Sequence, residues 1–108
     1  MIKVVIYEKD DRRVGIKCQG HAGYSEAGSD IVCAAVSVLV QNTINSIETL
    51  TSAEFQGKVD EKKAIIEFVL TSYPDEKTEL LFSSLILGLE SVRADVEGEY
   101  ISIKFEEV

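Results

Sequence analysis

The only histidine of this 108-residue chain, His21, and one of its two cysteines, Cys33, stand near the ends of the run GHAGYSEAGSDIVC. A thiol is a strong nucleophile only as its thiolate, and an imidazole that titrates near neutrality is the usual group to activate it. The pairing points to thiol chemistry of the hydrolase type. Between the two residues lie Ala22, Gly23, Tyr24 and Gly28, a loop in which glycine permits close approach of a substrate backbone. Asp30 has two readings, as the cap of a helix and as a carboxylate that orients the His21 ring. Ser37, four residues after Cys33, shares its helix face. Each residue also has an ordinary reading. A cysteine in VCAAV is commonly small core packing, and a loop histidine is commonly a surface residue. Spacing alone leaves both open.

The elements that must position these groups follow from hydrophobic periodicity. Ile2, Val4 and Ile6 alternate with Lys3, Val5 and Tyr7, which predicts a strand. After the polar turn Lys9-Asp10-Asp11-Arg12, the residues Val14, Ile16 and Cys18 predict a second strand and a hairpin. Cys18 is expected to face the core. A loop over 20–29 then leads to a helix from Ser29 or Asp30 to about Leu50. With Asp30 as the cap, Cys33 is the third helical residue. There, free backbone amides favour a thiolate and are available to an oxyanion. The stretch Ile31 to Val36 is apolar nearly all round, so it predicts burial on several sides, against the sheet and a second subunit. Farther on, the apolar face narrows to Ile44, Ile47 and Leu50.

Segments 54–59 and 64–70 predict a second hairpin around Asp60-Glu61-Lys62. Pro74-Asp75 predicts the start of a second helix with a core stripe of Leu81, Leu85, Leu89 and Val92. Ile101, Ile103 and Phe105 predict a closing strand. The expected fold is α+β: one domain over 1–108, in the order ββαββαβ, with two helices packed on a mostly antiparallel sheet.

Composition narrows the function further. The formal net charge of −8 argues against a nucleic-acid binder, which needs Lys and Arg to displace counterions from phosphate. It argues equally against docking on anionic membranes. Such a balance suits a basic protein partner. No run approaches the roughly 18–20 apolar residues needed to span a bilayer, and MIKVVIYEKD turns acidic too early for a signal peptide, so the expected location is the cytoplasm. Two Cys and one His without a CxxC spacing predict no structural zinc, and nothing in the spacing predicts another metal or a cofactor.

The residues Gly20-His21-Ala22, Asp30 and Cys33-Ala34-Ala35-Val36-Ser37 resemble the signature of the ribosomal-processing cysteine protease family Prp, also called YsxB-like. The resemblance extends over essentially the whole chain. It implies a small α+β homodimer and a cysteine endopeptidase in which Cys33 is the nucleophile and His21 its proton-transfer partner. Gly20, Asp30 and Ser37 carry over as matching positions with supporting roles. The substrate it implies is the precursor of large-subunit ribosomal protein L twenty-seven, cut to remove an N-terminal extension. On that reading the loop over 22–29 closes on the peptide. Two other readings remain at this stage. One is a non-catalytic assembly factor that holds a basic ribosomal protein on its acidic surface. The other is a redox pair of Cys18 and Cys33, which requires their Cα atoms within about 7 Å.

Overall fold

The computed structural model describes residues 1–20 and 27–108, the side chains of 27–30 excepted. Its elements are β1 (Ile2–Lys9), β2 (Arg12–Gln19), α1 (Ala27–Leu50), β3 (Phe55–Asp60), β4 (Ile65–Leu70), α2 (Glu76–Asp95) and β5 (Ile101–Glu107). The order is the expected ββαββαβ. The strands form one sheet in the order β3-β4-β2-β1-β5. Three of its four pairings are antiparallel, and β1–β5 is parallel.

Local chemistry explains the turns. Asp10 and Asp11 both have positive φ, at 52° and 63°. That is the type I′ geometry whose twist matches a two-residue hairpin, and aspartate tolerates it. At α2, Asp75 accepts a hydrogen bond from the Thr78 N–H at 3.0 Å, so it is the N-cap, with Glu76 and Glu79 in the favourable first turn. Glu79 also ties α2 to the sheet. It accepts the backbone N–H of Arg13 at 2.9 Å and pairs with the Arg13 guanidinium, which is held on its other side by Glu8 at 3.1 Å.

Register puts one face of the sheet under the helices. Ile6 lies opposite Ile16, and Ile16 opposite Phe68; Ile2 lies opposite Ile101. All are buried, and with Val32, Val36, Val40 and Ile47 of α1 and Phe82, Leu85 and Leu89 of α2 they make a single core. The helices meet where Leu39 seats on Gly88. A Cβ at Gly88 would lie 3.0 Å from a Leu39 methyl.

Several expectations need correction. The buried stripe of α2 uses Thr78 and Phe82, with Leu81 and Val92 on its flanks, because the helix is rotated to seat the Phe82 ring near Phe68 (centroids 6.2 Å apart). In α1, Leu50 is exposed and Thr43 is buried in its stead. The Thr43 hydroxyl is satisfied by donating to the Leu39 carbonyl. Ile31 and Val38 are 69% and 67% exposed, so within one chain α1 is covered on one side only. Val59 and Phe105, on edge strands, are also largely exposed. Finally, Ile31–Leu50 is long and apolar enough by length and composition to cross a membrane, contrary to expectation. In this fold, however, it gives Val32, Val36 and Val40 to the core.

Phe82 has no exposed surface and joins both layers. Phe82→Ala is therefore expected to lower unfolding stability by about 3–5 kcal/mol, read by urea denaturation. Exposed Glu90→Ala serves as the control and is expected to change it by less than about 0.5 kcal/mol.

Candidate active site

The strand β2 ends at Gln19, and Gly20 then turns the chain toward His21. Gly20 has φ +102°, a conformation that suits glycine alone, and its N–H donates to the Ala64 carbonyl at 3.0 Å. A Cβ at this position would lie 2.6 Å from the Met1 carbonyl oxygen. No side chain fits, so the backbone passes between the first residue of the chain and the turn before β4. The direction in which the chain leaves β2 is fixed by this contact. Its second partner, Ala64, also has positive φ (53°). Neither Met1 nor Ala64 carries a signal in the sequence that points to this role.

His21, Ala22, Gly23 and Tyr24 lie outside the described residues, and so does the Asp30 side chain. Cys33 is described. It is half-buried on α1, packed against the core beside fully buried Val32. Counted at 100° per residue, it sits about 120° around the helix from Leu39, on the flank turned away from α2. Ser37 follows one turn later and is exposed. The thiol therefore has one side on the core and one side open.

The start of α1 differs from expectation, and the difference bears on mechanism. The helix begins at Ala27, not at Ser29 or Asp30. Asp30 is then inside the first turn and is not the cap. Gly28 belongs to the helix and not to the substrate loop. Ala27 is a strong helix former, and a single Gly28 costs only about 1 kcal/mol, too little to hold back a helix that tertiary packing supports. Cys33 becomes the seventh helical residue, about 9 Å from the first along the axis. Its own N–H is within the helical ladder, and the field of the helix terminus has faded by this point. Direct activation of Cys33 by free terminal amides is thus weak, as is the use of those amides as an oxyanion hole.

The second cysteine faces the helix layer, as expected. Burial pushes the Cys18 thiol up to about 11, and the charge of Cys33 adds to the rise. A thiol so disfavoured as thiolate is a poor nucleophile at neutral pH. Two cavities, of about 580 and 670 Å³, open at the opposite end of β2, around Arg12, Tyr73 and Pro74 and around Arg13 and Glu79. Eight strand residues, about 26 Å, separate that end from Gly20, so neither belongs to the thiol site. Among the described residues no group of three or more His, Cys, Asp or Glu is placed to hold a metal ion.

Residues 1–102 match the family model described as cysteine protease Prp. The chain belongs to the cysteine protease Prp family. The ribosomal processing cysteine protease Prp of Bacillus subtilis is 28% identical over 100 residues, covering 88% of this chain and 89% of the relative. Its counterpart in Staphylococcus aureus is 26% identical over 96 residues, covering 88% and 91%. Among solved structures, SMU.848 from Streptococcus mutans is 31% identical, covers 100% of this chain and 96% of its own, and superposes with a TM-score of 0.85. An essential ribosomal processing protease Prp from S. aureus, solved with a substrate peptide, shares the fold at a TM-score of 0.88 and 23% identity, covering 98% of this chain and all of its own. Membership makes the chain a cysteine peptidase and favours the enzyme over the non-catalytic binder.

Gly20→Ala is expected to cost about 1–3 kcal/mol of stability through backbone strain, and peptidase activity should fall with it. Gly57→Ala is the control. An added Cβ there comes no closer than 3.8 Å to a neighbour. Paired urea melts and peptide-cleavage rates compare the two.

Proposed function

We propose that the chain is a cytoplasmic endopeptidase that trims an N-terminal extension from a basic large-subunit ribosomal protein, the L twenty-seven precursor, and so contributes to ribosome assembly. The observation that carries this reading is the half-open position of Cys33 on α1, in a chain of the Prp family whose β2 ends just before His21. The relatives from B. subtilis and S. aureus are ribosomal processing proteases, which supports a substrate of that class. The net charge of −8 attracts a basic substrate and repels nucleic acid and anionic lipid.

In this mechanism His21 takes the Cys33 proton, and the thiolate attacks the scissile carbonyl. The imidazolium then protonates the leaving amine. Water, deprotonated by His21, hydrolyses the thioester. Asp30, within the first turn of α1, orients the ring. Ser37, exposed one turn after Cys33, and the loop residues Ala22, Gly23 and Tyr24 contact the peptide. Gly20 sets where the loop begins. No cofactor or metal takes part.

The working unit is a homodimer. Ile31 and Val38 on α1, and Leu80 and Leu87 on α2, are each 67–70% exposed and recur at i, i+7, forming apolar stripes on the side of the helices away from the sheet.

Two results test the proposal. Cys33→Ala and His21→Ala should each abolish cleavage of an extended precursor peptide, at least a hundredfold loss by analogy with general-base removal, while unfolding remains cooperative. Wild-type rates in either variant would overturn the assignment. Light scattering should give twice the chain mass for the wild type and the monomer mass for Val38→Glu. A monomeric wild type would remove the dimer.

A further inference from the structure

A cavity of about 580 Å³ lies where the β1–β2 turn, the end of β4 and the lead into α2 come together. That volume is ordinary for a small-molecule site. Its lining is mainly apolar: Val14 and Leu70, both buried, with Val69, Pro74 and Val108. Two cations, Lys9 and Arg12, stand on its wall. With 19 acidic and 11 basic residues in the chain, a cation has carboxylates to choose from. Yet among the described residues neither Lys9 nor Arg12 forms an ion pair, and Asp10, on the same wall, pairs with neither. Arg13 is the contrast, since Glu8 and Glu79 hold it from two sides. Arg12 is also held in place. Its guanidinium lies over the Tyr73 ring, 5.3 Å from the centroid, and Nη1 donates to the Pro74 carbonyl at 2.9 Å. Among the described residues no other acceptor takes its remaining N–H groups. A guanidinium fixed in this way loses little freedom on forming a forked pair with a carboxylate.

We propose that this cavity binds a small organic acid, with Arg12 and Lys9 taking the carboxylate and the apolar lining taking a short aromatic or aliphatic body. The two cations supply charge that the chain has not used elsewhere. The apolar residues favour an acid with a hydrocarbon body over an inorganic anion, which has no apolar surface to bury. The volume favours a single small molecule over a folded partner. Lys9, exposed at the end of β1, adds long-range attraction, whereas Arg12 sets the orientation of the carboxylate. The site is separate from the thiol. Arg12 opens β2 and Gln19 closes it, and eight strand residues span about 26 Å. An acid bound at Arg12 therefore leaves Cys33 open, and binding is independent of whether Cys33 is the nucleophile.

The test is a titration of 3-phenylpropionate and of its neutral amide into the isotope-labelled full chain, followed by NMR. The acid should bind with a Kd of roughly 0.1–1 mM, the range for a ligand of about eleven non-hydrogen atoms. The shifted amides should be those of the β1–β2 turn and of Thr71, Ser72 and Tyr73. The amide should bind about tenfold more weakly, as expected on loss of a charge-assisted pair. Arg12→Gln should weaken the acid by about tenfold for the same reason and leave peptide cleavage at the wild-type rate. Should Arg12→Gln fail to fold, the charge reversal Lys9→Glu, at an exposed residue, and the comparison of acid with amide decide. Iodoacetamide should alkylate Cys33 equally fast with and without the acid. Equal binding of acid and amide, wild-type affinity in both variants, no shifts at about 10 mM acid, or protection of Cys33 would each overturn the proposal. So would a peptide with a terminal phenylalanine carboxylate that binds where 3-phenylpropionate does not, since it would assign the cavity to chain ends.

Discussion

The burial of Val32 and Val36 against the sheet is the constraint on which the thiol site depends. A helix that commits these two residues to the core has no remaining rotational freedom. Cys33, one residue on from Val32, must then emerge about 100° around the axis, on the flank. A rotation of one residue in one sense would bury the sulfur, and in the other would put it fully in water. The half-open position, with apolar contact on one side and access on the other, therefore follows from where two valines pack.

The second fixed point is the passage of Gly20 between Met1 and Ala64. It ties the end of β2 to the start of the chain and to the turn before β4. Rigid elements thus hold both ends of the run from Gly20 to Cys33: a strand and its backbone contacts at one end, a core helix at the other. Catalytic groups on loops gain precision when the scaffold beneath them is fixed in this way.

The length of α1 shifts the balance of forces at the sulfur. With the helix starting at Ala27, Cys33 lies about 9 Å along the axis from the terminal amides and inside the helical ladder.

Much of this was legible in the residues. Alternation in β1, β2 and β4 and the Pro74-Asp75 start of α2 determined the ββαββαβ order, because strand and helix periods differ and turn residues mark their ends. The spacing of Gly20, His21, Asp30 and Cys33 marked the candidate site and its family. The tertiary structure decided what periodicity cannot encode. The start of α1 turned on whether packing outweighs one glycine. The inward set of α2 turned on the seating of the Phe82 ring near Phe68. The half-open position of Cys33 turned on which valines of α1 pack against the sheet. Local spacing records the period of an element, but contacts between residues distant in sequence set its rotation and depth.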